Sequence, residues 1–92
     1  MFKYQLSDKL KDIIQVLNKK ARKRSLILAE KIQEIVKNDI KTIERYKNLR
    51  HELKDYKRVH IDRHFVLIFK VDKEKNFIFF ADFDHHDNMY KK

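Results

Sequence analysis

The chain contains no cysteine, no glycine and no proline among its 92 residues. Without cysteine, disulfides and thiol chemistry play no part. Without glycine, the phosphate-cradling loops of nucleotide-binding motifs cannot be built. Every turn must instead use Asn, Asp, Lys or His. Met1–Lys11 lacks the apolar stretch of a signal peptide, and no run approaches the length of a membrane span. A soluble cytoplasmic protein, with no membrane association, is the expectation. The length suits one domain spanning residues 1–92, with a single modest core.

What is abundant is positive charge. Twenty-three Lys and Arg against fourteen Asp and Glu give a formal charge of +9, and the pI is near 9.8. Such a field favours a polyanionic partner, nucleic acid first; the alternative is a lysine-rich solvated surface. The richness in Lys, Glu and Ile also resembles thermophile usage.

Three β-strands in succession are expected at Tyr56–Ile61, Phe65–Val71 and Asn76–Asp84, each rich in β-branched or aromatic residues. The polar breaks between them, Asp62–His64 and Asp72–Lys75, are short enough for hairpin turns. A strict period of two puts Val59, Ile61, Phe65, Leu67, Phe69, Val71, Phe77, Phe79, Ala81 and Phe83 on one apolar face. The other face then carries Tyr56, Arg58, His60, Val66, Ile68, Lys70, Asp82, Asp84 and, if the strand geometry persists, His86. That mixed polar face is left open for work.

The apolar face needs a cover, and the first half of the chain supplies it. Phe2–Leu6 alternates as a short strand, and Ser7 is placed to cap a helix. Leu10, Ile13, Ile14 and Leu17 repeat at helical spacing, as do Leu28, Ile32, Ile35 and Val36. Lys19–Arg24 interrupts the two stripes, as a turn or a helix end, and reads as a solvated basic face or an RNA contact. Asn38 and Asp39 end the second helix. Ile40–Asn48 reads either as a short helix or as an irregular crossing. Leu49–Asp55 is a basic, polar connection. The expected fold is α+β, in the order β-α-α-β-β-β, an antiparallel sheet with a two-helix hairpin packed on one face.

This order resembles the RelE/ParE superfamily of type II toxins, and its YafQ-like mRNA interferase branch most. The resemblance rests on L-x-x-x-L-K-D-Y at Leu49–Tyr56, R-x-H at Arg58–His60, the strand Phe65–Val71, and H-D-x-x-Y at His86–Tyr90. It implies a ribosome-dependent endoribonuclease that cuts mRNA in the 30S A site, silenced by a cognate antitoxin protein. Its pattern maps onto His60, His64, Phe65, His86 and Tyr90, with Lys47 where that branch has an upstream histidine. Two departures stand out. Val66 occupies the position of a RelE-branch arginine, and His64 replaces an acidic residue.

Metal-free RNA cleavage needs a base for the 2′-OH proton, cations for the phosphorane, and an acid for the leaving 5′-oxygen. Histidine can act as acid or base near neutral pH. The expected assignment is His60 and His86 as the acid–base pair, direction open. Arg58 and Lys47 would stabilise phosphate charge, Tyr90 would stack on or orient a base, and His64 would support. Arg50, Lys54, Arg63 and Phe65 complete the RNA-binding candidates, although Phe65 lies on the core face by period. His85 has the opposite parity to His86 and reads as structural, and His51 as surface. Asp82, Asp84, His86 and Asp87 with His60 match no closed metal-ligand set, so no metal and no cofactor are expected. The competing readings are a ParE-like gyrase inhibitor that cuts nothing, which has no need of His60 and the His86–Tyr90 tail, and an inactive nucleic-acid-binding relative, which Val66 would suit.

Overall fold

The computed structural model describes residues 1–89. Strand β1 (Lys3–Leu6) leads into helix α1 (Asp8–Lys20), and α2 (Arg22–Val36) follows after Ala21 alone. Ser7 caps α1 by accepting from the Leu10 amide at 3.0 Å, while Asp8 and Lys19–Lys20 sit at the dipole ends that favour them. A 3₁₀ turn at Thr42–Arg45 precedes the short strand β2 (Lys47–Asn48), so the ambiguous crossing contains both a helical turn and a strand. A second 3₁₀ turn, His51–Leu53, leads into the meander β3 (Tyr56–Ile61), β4 (Phe65–Asp72) and β5 (Phe77–His85), and α3 (His86–Met89) continues directly from β5.

The five strands form one sheet in the order β1-β5-β4-β3-β2. The expected β-α-α-β-β-β order stands, with β2 and α3 added. Strand β1 pairs with β5 in parallel, so the sheet is mixed rather than purely antiparallel, and β2 adds an edge beyond β3. Glycine's usual positions are filled by other residues. His51, Asp62, Arg63 and Asn76 all take positive φ, between 51° and 60°, where Asn, Asp and His are the least strained side chains.

The helical hairpin covers one face of the sheet. Leu10, Leu28, Ile32, Ile35 and Val36 meet Ile61, Leu67, Phe69, Ile78, Phe80 and Phe83 in a continuous buried core. Each fully buried side chain of this size contributes about 1.5–3 kcal/mol of transfer free energy. The strict period of two fails at one point. A register shift sets Ile68 against Asp82 but Phe69 against Phe80, leaving Ala81 as an extra residue in β5. Such a bulge reverses the alternation on one side of it. Ile78 and Phe80 therefore enter the core, whereas Phe77, Phe79 and Ala81 are only half-buried. Ser7 Oγ donates to the Ala81 carbonyl at 2.6 Å, so the helix cap also satisfies the backbone at the bulge.

Candidate active site

Residues paired across neighbouring strands project to the same side of a sheet. On the open face the register aligns Lys47, Arg58, Ile68 and Asp82 in one row, and His60, Val66 and Asp84 in the next. His86 follows Asp84 by two residues, where the His86 amide donates to the His64 carbonyl at 2.6 Å and starts α3. The outcome is a stacked imidazole pair. The rings of His60 and His86 lie 5.5 Å apart at an interplanar angle of 27°. Val66 shares their row, is fully buried, and stands apart from the cluster beneath the helices.

Beside this pair lies a cleft of about 730 Å³. Its floor is Arg58, Ile68, Ala81 and Asp82, and its wall is the Asn48–Leu53 segment, with Tyr56 between them. Apolar and aromatic side chains flanked by Arg50 and Arg58 suit an unstacked base next to a phosphate. The two acids on this face are tied internally. Asp82 accepts from Lys9 Nζ at 2.9 Å and from the Phe83 amide at 2.8 Å. Asp84 accepts from the His85 amide at 2.7 Å and from Asn88 Nδ2 at 3.1 Å.

The pKa of His60 is held below the ordinary imidazole value, chiefly by the part of its ring that is buried, then by the charges of Arg58 and His86. The shift biases His60 towards its neutral form. The Asp82 carboxylate raises the Lys9 pKa by hydrogen bond and charge.

The sequence-based candidates divide into groups. Lys47, Arg58, His60 and His86 come together on the open face, and Arg50 lines the cleft. Lys54 closes the turn behind the cleft wall, its carbonyl accepting from Asn48 Nδ2 at 2.7 Å. His64 and Arg63 lie instead at the β3–β4 turn, where His64 stacks on His85 at 5.8 Å. Phe65 packs on Phe83 at 5.3 Å with the Arg24 guanidinium 4.2 Å above it, on the helix side and away from the cleft. Tyr90 lies outside the described residues. Among the described residues, no three His, Asp or Glu side chains gather to hold a metal ion, and no helix is long and apolar enough to cross a membrane.

Pattern reasoning missed the cleft wall, because Leu49–Leu53 has no periodicity, and it missed Asp82 as part of the floor. It also missed Lys57. That side chain sits on the covered face, 6% exposed, and donates to Glu44, the Tyr46 carbonyl and Asn48. Burial lowers its pKa.

This architecture defines the class. The chain superposes over 98% of its length on YafQ from E. coli strain BL21(DE3), with a TM-score of 0.71 and 14% identity, covering 99% of that chain. It matches a metal-bound toxin from Helicobacter pylori equally widely, at TM-score 0.75 and 20% identity, covering all of that chain. At these identities the likeness is one of fold. No family model matches the sequence. A full-length relative does. A Methanocaldococcus jannaschii protein named "Putative toxin RelE4" is 46% identical over 92 residues, all of this chain and 94% of that protein. A Methanosarcina mazei protein without an assigned role is 39% identical over 90 residues. The chain belongs to the RelE toxin family.

Proposed function

We propose that this chain is the toxin of a toxin–antitoxin pair and that it cuts messenger RNA engaged on the ribosome. The observation that carries this reading is the His60–His86 pair beside Arg58 and Lys47 on an open, basic face. Neutral His60 accepts the substrate's 2′-OH proton, and the 2′-oxygen attacks the adjacent phosphorus. His86 donates a proton to the departing 5′-oxygen, leaving a 2′,3′-cyclic phosphate and a 5′-hydroxyl. Arg58 and Lys47 face the charge that develops on the phosphorane. The neighbouring base occupies the cleft. Positioned proton transfer of this kind is worth about 10²–10⁴-fold in rate. The partner that silences it is an antitoxin whose acidic segment is drawn to the same basic face.

The test is induced expression of the wild type and of the double variant His60→Ala, His86→Ala, with primer extension on an abundant translated mRNA. New 5′ ends in coding sequence are expected with the wild type alone. Growth arrest without cuts would shift the reading to a gyrase-type toxin. Equal cleavage by the double variant would remove these imidazoles from the mechanism.

A further inference from the structure

The cleft wall has little of its own to hold it. Leu49 is half-buried and Arg50–Asp55 are all exposed. His51 adds a positive φ of 58°, a conformation that costs free energy in a residue with a Cβ. Yet the wall has a defined shape, and its anchoring can be followed bond by bond. Leu49 N–H donates to the Tyr56 carbonyl at 2.8 Å, which ties the two ends of the segment together. Within the segment the Leu53 and Lys54 amides donate to the Arg50 and His51 carbonyls at 3.2 Å, and Asn48 joins it to the neighbouring strands with one side chain. Its Nδ2 donates to the Lys54 carbonyl at 2.7 Å, while its Oδ1 accepts from Lys57 Nζ at 2.9 Å. The ammonium is fixed in turn by the Tyr46 carbonyl and Glu44 Oε1, both at 3.1 Å. Glu44 also pairs with Lys73.

We propose that Lys57 and Asn48 are positioning residues, a relay that runs from the covered side of the sheet and sets the shape of the substrate cleft on the other side. A buried ammonium with three acceptors is costly to assemble, and a strand residue facing a core would ordinarily be apolar. Here the charge lies one residue before Arg58 and opposite Asn48 in the β2–β3 register. The same clamp fixes β2, which sets Lys47 opposite Arg58. One buried cation thus holds both the cleft wall and one of the phosphate-facing lysines without touching substrate. The part of the inference that concerns substrate rests on the RNA-cleavage reading above; the part that concerns the wall does not.

Two variants separate the links. Asn48→Asp keeps the acceptor for Lys57 but removes the donor to Lys54, and it changes an exposed residue, so the core is untouched. Lys57→Met keeps the apolar stem and removes the ammonium. Amide hydrogen exchange is measured on the purified full chain for Leu49, Leu53 and Lys54, with Phe69 and Phe80 as internal references. Both variants are expected to speed exchange at the three wall amides at least tenfold while the references hold within twofold. Unchanged wall amides, or equal acceleration throughout, would overturn the relay. On ribosome-bound mRNA, Asn48→Asp is expected to raise KM about tenfold with kcat within threefold. A fall in kcat at unchanged KM would overturn its role in shaping the cleft. A wild type that cuts nothing counts against the RNA reading, and the exchange data still decide the relay.

Discussion

His60 carries two opposed demands in one ring. It must be exposed enough to meet substrate, yet its partial burial and the nearby Arg58 and His86 hold its pKa below the usual imidazole value. An unfolded histidine titrates near ~6.5. Between the depressed folded pKa and that value the unfolded chain binds more protons, so lowering the pH through this window costs stability, and below the folded pKa the loss levels off. NMR titration of the histidine rings should therefore place the His60 midpoint below ~6.5. In His86→Ala it should move upward, because a neighbouring charge and part of the ring's burial disappear together. Urea unfolding should show a shallower acid-side decline for His60→Asn than for the wild type. A His60 midpoint at or above the ordinary value, or one indifferent to His86, would remove the basis for assigning it the base role.

The bulge in β5 is the element that joins fold to site. It lets Phe80 enter the core while Asp82 and Asp84 stay on the open face, and α1 holds it at two points. Ser7 caps the helix and donates to the Ala81 carbonyl, and Lys9 pairs with Asp82. Ser7→Ala removes the cap and leaves a carbonyl without its donor, which should cost about 2 kcal/mol in urea unfolding. A change under 0.5 kcal/mol would mean that the bulge is held without the serine. The bulge also shows why one part of the fold was legible in sequence and another was not. The segments 56–61 and 65–71 alternate or concentrate β-branched residues, so their extent was plain to within a residue. Phe77 to Ala81 is apolar at every position, and no pattern there distinguishes Ile78 and Phe80 from Phe77 and Phe79. Asp82 and Asp84 fell on the His60 face because parity holds from the bulge to His85, while His86 reaches His60 from the start of α3, where strand parity no longer applies. The cleft could not be foreseen, since a 3₁₀ turn, a two-residue strand and one buried lysine build it, and none of these leaves a periodic trace.

For the whole molecule, the charge of +9 sets how any polyanion is met. Asp82 is paired with Lys9, whereas Asp84 accepts only neutral donors and, with Glu52 in the cleft wall, offsets part of the positive charge there. On the RNA-cleavage reading, Lys47, Arg50 and Arg58, with Lys54 behind the wall, are the residues offered to phosphates there. If about four phosphates are neutralised, single-stranded RNA binding should fall with a log–log salt slope of about −2.8, or about 50-fold between 50 and 200 mM salt. The measurement is anisotropy titration of a short labelled RNA against the His60→Ala, His86→Ala variant, so that cleavage does not intrude. Lys47→Ala in that background should make the slope shallower by about 0.7 and weaken binding to all sequences alike. Phe65→Leu should leave the slope alone, since Phe65 packs beneath Arg24 on the helix side. A slope unmoved by Lys47→Ala would mean that RNA meets this molecule on another basic surface, with Lys19–Arg24 the next to examine.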